Sequence, residues 1–151
     1  MRPRPVVQIE DIARVDFESR RPGCEKGVLQ VEGSVQSAAF RVAPGSGVPV
    51  HLHSSVFDIF VGVKGLLEIR YESQQGHGTF ELKPGGFCAV PPGVRHEVFN
   101  PSTVDEAFFL SVHAPHDSYD FVPADFRQIT AALRDREYVA SQHSPAPDPS
   151  P

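Results

Sequence analysis

The chain has no tryptophan, a single methionine and only two cysteines among its 151 residues. Cys24 and Cys88 are too few for a disulfide framework and do not have the close spacing of a zinc-binding pair, so both read as free thiols. Basic residues are also scarce, with 14 Lys and Arg against 19 Asp and Glu, a net charge of −5 and a pI near 5.8. A nucleic-acid footprint needs the opposite balance. The only basic clusters are Arg2 with Arg4 at the start and the Arg20-Arg21 pair, which read as a solvated terminus and a loop. No hydrophobic run is long enough to span a bilayer. The opening MRPRPVVQIEDI lacks the continuous apolar region of a secretory signal. These absences lead us to expect a cytoplasmic protein whose partners are neither nucleic acid nor membrane.

Turn residues, by contrast, are plentiful, with 12 Gly and 15 Pro. Between them lie short runs rich in Val, Phe and Ile: VLQVEG, VQSAAFRV, VPVHLH, VFDIFVGV, LLEIRYE, GTFELK, FCAVP, HEVFN and EAFFLSVH. Short strands at close, even spacing predict an all-β sandwich or barrel, and the length suits one domain. Helical periodicity is confined to DFRQITAALRDREYVA, where Asp125 is a candidate cap and Phe126, Ile129 and Leu133 recur on one face. The expected organisation is an N-terminal arm over 1–27, a β-barrel over 28–122 and a C-terminal helix over 123–140. The Pro- and Ser-rich tail over 141–151 has no apolar face and is expected to be disordered.

One segment breaks the pattern of apolar strands. VPVHLHSSVFD places His51, His53 and Asp58 inside an otherwise hydrophobic run. Residues i and i+2 of a strand share a face, so His51 and His53 project together. A turn at Ser54-Ser55 would return the chain and bring Asp58 beside them. Asp58, Phe60 and Gly62 then share one face of VFDIFVGV, and Phe57, Ile59, Val61 and Val63 the other. That aliphatic content predicts a strand buried on both sides, where a carboxylate must be paired or bound to a cation. Downstream, His96 opens HEVFN after the turn Pro91-Pro92-Gly93, and Val98 and Asn100 share its face.

Two spaced patterns emerge. The first runs Gly45, five residues, His51, one residue, His53, four residues, Asp58, six residues, Gly65. The second runs Gly85, five residues, Pro91, one residue, Gly93, two residues, His96, three residues, Asn100. Together they resemble the two signature motifs of the cupin superfamily, with Asp58 standing where most metal-binding cupins carry Glu. The resemblance implies an antiparallel jelly-roll β-barrel holding one divalent metal ion through His51, His53, Asp58 and His96. Iron(II) is favoured, with Zn, Ni, Mn or Cu as alternatives, since imidazole suits all of them and a carboxylate adds charge compensation. Asp is one methylene shorter than Glu, so Asp58 either ligates directly or stands outside the ion as a catalytic base.

Other residues rank below these. Phe60 and Val98 are candidate walls of a substrate pocket. Arg70 and Glu68 share a face of LLEIRYE, either at the mouth of the site or as a cross-strand ion pair. His77 belongs to an exposed turn, and His113 and His116 to the rim or surface. Parity alone does not say whether Phe108, Leu110 and Val112 or Phe109, Ser111 and His113 face inward. A wall of Phe and Val with few extra charges favours a small apolar or aromatic molecule over a sugar phosphate. The resemblance thus implies a non-haem iron dioxygenase, with a non-redox cyclase, isomerase or lyase (such as a polyketide cyclase) or a non-catalytic binding cupin as alternatives. Cupins often dimerise, and VVQIEDIARVDF is a candidate segment for covering an edge strand in a homodimer.

Overall fold

Polarity changes along the length of individual strands, and this gradient places the site. In the computed structural model, which describes residues 6–128, the strands are β1 (Glu18–Arg21), β2 (Cys24–Glu32), β3 (Val35–Val42), β4 (Gly47–Leu52), β5 (Phe57–Lys64), β6 (Leu67–Ser73), β7 (Gly76–Leu82), β8 (Phe87–Val90), β9 (Arg95–Phe99), β10 (Ala107–Ala114) and β11 (Val122–Pro123). They pair antiparallel in two sheets, ordered β1-β2-β3-β10-β5-β8 and β11-β4-β9-β6-β7. β1 and the start of β2 lie within residues 1–27, where an arm was expected, and they pair with each other at the edge of the six-stranded sheet.

Alternating residues meet between the sheets. Phe40, Phe60 and Phe109 come from the six-stranded sheet, and Val48, Leu67, Ile69 and Val98 from the five-stranded one. Phe40 stacks on Phe109 at 5.0 Å between centroids, and Phe60 meets Phe109 edge-on at 5.6 Å. Further along the same strands the inward residues turn polar: Asp58 follows the line of Phe60, Ser111 and His113 follow Phe109, and His96 lies beyond Val98. Cross-strand pairing aligns these polar ends, setting His113 against Asp58 and His51 against His96.

Three sequence expectations need correction. The sheets do not close into a barrel, because no strand of one pairs with a strand of the other. The edge strands β7 and β8 leave a groove of about 740 Å³ between them, lined by Tyr71, Phe80, Val90 and the Pro91–Val94 turn. β8 spans only four residues before Pro91 and Pro92, which have no N–H with which to extend a ladder. Nor is there a C-terminal α-helix among the described residues, whose only helical pieces are the 3₁₀ turns Ile12–Arg14 and His116–Ser118. Pro123 pairs with His51 and the Ala124 N–H bonds Val50 O, while Glu72 accepts the N–H groups of Arg127 and Gln128 at 2.7 and 2.6 Å. Those contacts hold the start of the expected helix in strand and bend conformations. Its remainder, and the tail over 141–151, lie outside the described residues. Finally, β5 is buried on one face only: Asp58 and Phe60 are enclosed, but Phe57 and Val63 are 45% and 40% exposed. Elsewhere on the outer face of its sheet, Phe17 meets Phe108 edge-on with 6.1 Å between centroids, whereas Phe57 and Val63 stay open.

Candidate metal centre

His51 lies on β4, His53 just past its end, Asp58 on β5 and His96 on β9. All four are buried, and one donor atom from each lies within 4.8 Å of every other. The non-ligand positions of the two sequence patterns build the turns that permit this. Gly45 and Gly93 have φ of +70° and +81°, in the left-handed region that favours glycine. The Gly93 N–H bonds His53 O at 2.8 Å, and the Gly45 N–H bonds Asn100 O at 3.0 Å, tying the two segments together. Asn100 donates its amide to Val42 O and Asp105 O and accepts from Ser102 N, so its role is scaffolding.

The histidines are oriented by backbone carbonyls. Nδ1 of His51 lies 2.7 Å from Pro49 O, Nδ1 of His96 lies 2.9 Å from Val94 O, and Nδ1 of His53 bonds Asp120 O. A carbonyl only accepts, so each Nδ1 carries the proton and each Nε2 presents a lone pair. These lone pairs converge on Asp58 Oδ2, at 3.1 Å from His53, 3.2 Å from His96 and 4.0 Å from His51. Acceptors at such distances repel unless a proton or cation lies among them. Around one ion with bonds of about 2.1 Å, adjacent donors sit about 3.0 Å apart and opposite donors about 4.2 Å. The three separations from Asp58 Oδ2 lie near these values, while the four donors as a group spread to within 4.8 Å of one another. The residues therefore fit a divalent ion, and the shorter Asp side chain reaches the position a donor needs.

Electrostatics agree with that donor set. Burial, reinforced by neighbouring His96, lowers the His51 pKa to about 3, so His51 is neutral near pH 7. Burial opposes ionisation of Asp58, yet His113 above all, with His51 and His53, holds its pKa well below the ordinary range. For His53 burial works in the same opposing sense and is outweighed by Asp58, which raises its pKa. With no metal bound, a proton on His53 relieves the repulsion.

Sequence reasoning placed His113 at the rim or surface, but it is buried and its Nε2 lies 3.2 Å from Asp58 Oδ1. The same oxygen accepts from Ser111 Oγ at 3.2 Å. Ser111 and His113 recur every second residue on the face that turned out to point inward, a signal that needed the sheet order to be read. His116 is buried as well, behind His113 with their rings 6.5 Å apart. Phe60 and Val98 do line the cavity, with Phe40, Phe109, Tyr119, Phe121 and Arg21. Arg70 lies elsewhere, buried against Glu97 at 3.2 Å and Glu68 at 3.3 Å, and His77 is exposed. Both cysteines are free thiols, Cys24 buried and Cys88 half-buried.

A family model described as Cupin domain matches residues 38–113, half of the chain. The chain is a cupin. No curated protein matches it in sequence. Among solved structures, this cupin is similar to an uncharacterized conserved protein with a double-stranded β-helix domain from Klebsiella pneumoniae, with a TM-score of 0.68 and 21% identity over 83% of this chain and 98% of that one. It is similar to KdgF from Halomonas sp., with a TM-score of 0.60 and 16% identity over 68% of this chain and 90% of that one. Oxalate decarboxylase from Bacillus subtilis gives a TM-score of 0.60 at 22% identity, covering 68% of this cupin and 28% of the decarboxylase. At these identities the likeness is one of fold.

Proposed function

We propose that this cupin is a mononuclear metal-dependent enzyme acting on a small, largely apolar or aromatic molecule, with non-haem iron dioxygenase chemistry as the leading assignment. The observation behind it is the convergence of three Nε2 lone pairs and Asp58 Oδ2 on one point within a cavity walled by Phe and Val. A divalent ion held there by His51, His53, His96 and Asp58 would supply Lewis acidity and, as iron, one-electron chemistry. The carbonyls of Pro49, Asp120 and Val94 orient the imidazoles, and Asp58 offsets part of the cation's charge. Phe60 and Val98 keep bulk water from the site. Asp58 is also the residue we assign to proton transfer: Oδ2 faces the triad, while Oδ1 sits in a relay with Ser111 Oγ and His113 Nε2.

That relay also favours a second reading, a cyclase, isomerase or lyase in which proton movement is the whole reaction. Elemental mass spectrometry on untagged protein purified without chelator separates the two. Near-stoichiometric iron, lost in His51→Ala and His96→Ala, supports the dioxygenase assignment, with oxygen uptake on aromatic candidates as the next assay. Stoichiometric zinc, nickel or manganese moves the assignment to non-redox chemistry. No metal after reconstitution with Fe(II) overturns both.

The cupin is further proposed to form a homodimer. Supporting this, Phe57, Val63 and Phe87 are 45%, 40% and 61% exposed on the outer face of β5 and β8, an apolar patch that a second copy would cover.

A further inference from the structure

The free space in the metal-centre cavity is about 20 Å³, enough for a water molecule or a metal ion but not for an organic substrate. Something must therefore move when a substrate enters. Phe40, Phe60 and Phe109 are held within the sheets at 6%, 3% and 1% exposure. Phe121 is different. It is half-buried and immediately precedes the two-residue edge strand β11. Its ring stacks on the His51 imidazole, 4.3 Å between centroids and 15° between planes. The Arg21 guanidinium carbon also lies over this ring, 5.3 Å from its centroid. These are the contacts that a planar arene makes with an imidazole and with a cation.

Arg21 is the only Lys or Arg lining this cavity, and it forms no ion pair among the described residues. With a divalent ion (+2), Asp58 (−1) and Arg21 (+1), the walls carry a surplus of positive charge that favours an anionic ligand. We propose that the site takes a planar aromatic carboxylate, whose ring replaces Phe121 against His51 and whose carboxylate pairs with the Arg21 guanidinium, which turns from the ring face to meet it. A guanidinium is suited to this because its fork matches a carboxylate in two parallel hydrogen bonds. Flanking contacts hold the displaced segment near the site: Asp120 accepts from Ser54 N at 2.7 Å and from Ser54 Oγ at 2.5 Å, and the Ala124 N–H bonds Val50 O at 3.1 Å. Phe121 can swing out between these two anchors without release of the chain. The proposal rests on reading the His51 cluster as a small-molecule site, and it names the class of molecule.

The test is calorimetric titration of the zinc-loaded full chain with benzoate, benzyl alcohol and cyclohexanecarboxylate, zinc content being measured on the same samples. Benzoate is expected to bind about tenfold more tightly than either of the others. Arg21→Gln should bring benzoate down to the affinity of benzyl alcohol while leaving benzyl alcohol unchanged. Phe121→Ala should tighten benzoate several-fold, and Phe121→Leu provides the same readout with less loss of packing. Equal binding of benzoate and benzyl alcohol, equal weakening of both by Arg21→Gln, or weaker benzoate binding in both Phe121 variants overturns the proposal. So does the absence of benzoate binding to protein that has taken up zinc, which leaves the metal centre standing. Failure to take up zinc counts against the zinc-loaded centre, and the Arg21 comparison is then decided on the zinc-free protein.

Discussion

His113 Nε2 stands 3.2 Å from Asp58 Oδ1, on the side of the carboxylate away from the histidine triad. The two residues are cross-strand partners on β10 and β5. With Ser111 Oγ on the same oxygen, His113 directs Oδ2 alone toward the triad. Groups that orient a ligand in this way typically contribute 10–100-fold in metal affinity. His113→Ala should therefore weaken zinc binding by roughly tenfold or more, and Asp58→Asn should weaken it further. Calorimetric titration of zinc into each variant checks this, with circular dichroism to establish that the sheets persist. Unchanged affinity in His113→Ala would remove His113 from the site's support.

Metal affinity should fall as pH falls. His53 has a raised pKa, so it begins to take up a proton at a pH above its ordinary value of 6.5. An incoming ion must displace that proton. Binding is thus strongest above the raised value and declines below it, by about tenfold per pH unit for each proton displaced. His51, with a pKa near 3, adds no second proton in this range. Zinc titrations in buffers of different ionisation enthalpy should record proton release on the acid side, growing as pH falls through the raised His53 value. A flat profile would contradict the raised His53 value.

The aromatic trio under the site should dominate stability. Phe109 is 1% exposed and contacts both Phe40 and Phe60. Phe109→Ala removes both contacts and leaves a cavity, at a cost of about 3–5 kcal/mol. Urea unfolding of the variant beside wild type measures it. A loss below about 1 kcal/mol would mean that the sheets collapse readily around the gap.

The dimer proposal is tested on the outer face of β8. Phe87→Glu places a charge where 61% of the side chain is already exposed in the single chain, so folding of the monomer should be little affected. Multi-angle light scattering should show a dimer for wild type and a monomer for the variant. A wild-type monomer at working concentration would refute the proposal.

Local geometry made much of this molecule readable in advance. The alternation of His51 with His53, and of Asp58 with Phe60 and Gly62, follows from the two-residue period of a strand, which holds in any sheet. Gly45 and Gly93 are required by backbone conformations that side chains resist, so their positions marked the turns that bring His51, His53 and His96 together. Nothing in the local pattern of AFFLSVHA could say which face turned inward. That was decided when β10 paired between β3 and β5 and set His113 against Asp58. Arg21 and Phe121, far apart in the chain, meet because β1 and β11 are edge strands of the two facing sheets. The sequence by itself determined strand parity and turns, because these depend on neighbours in the chain, and it pointed to the donor set only through the resemblance of its two spaced patterns to the cupin motifs. Only the tertiary structure decided the sheet order, the open edges between β7 and β8, the partner of Asp58 and the ring that fills the cavity, because each depends on pairings between segments whose free energy is settled by the whole fold.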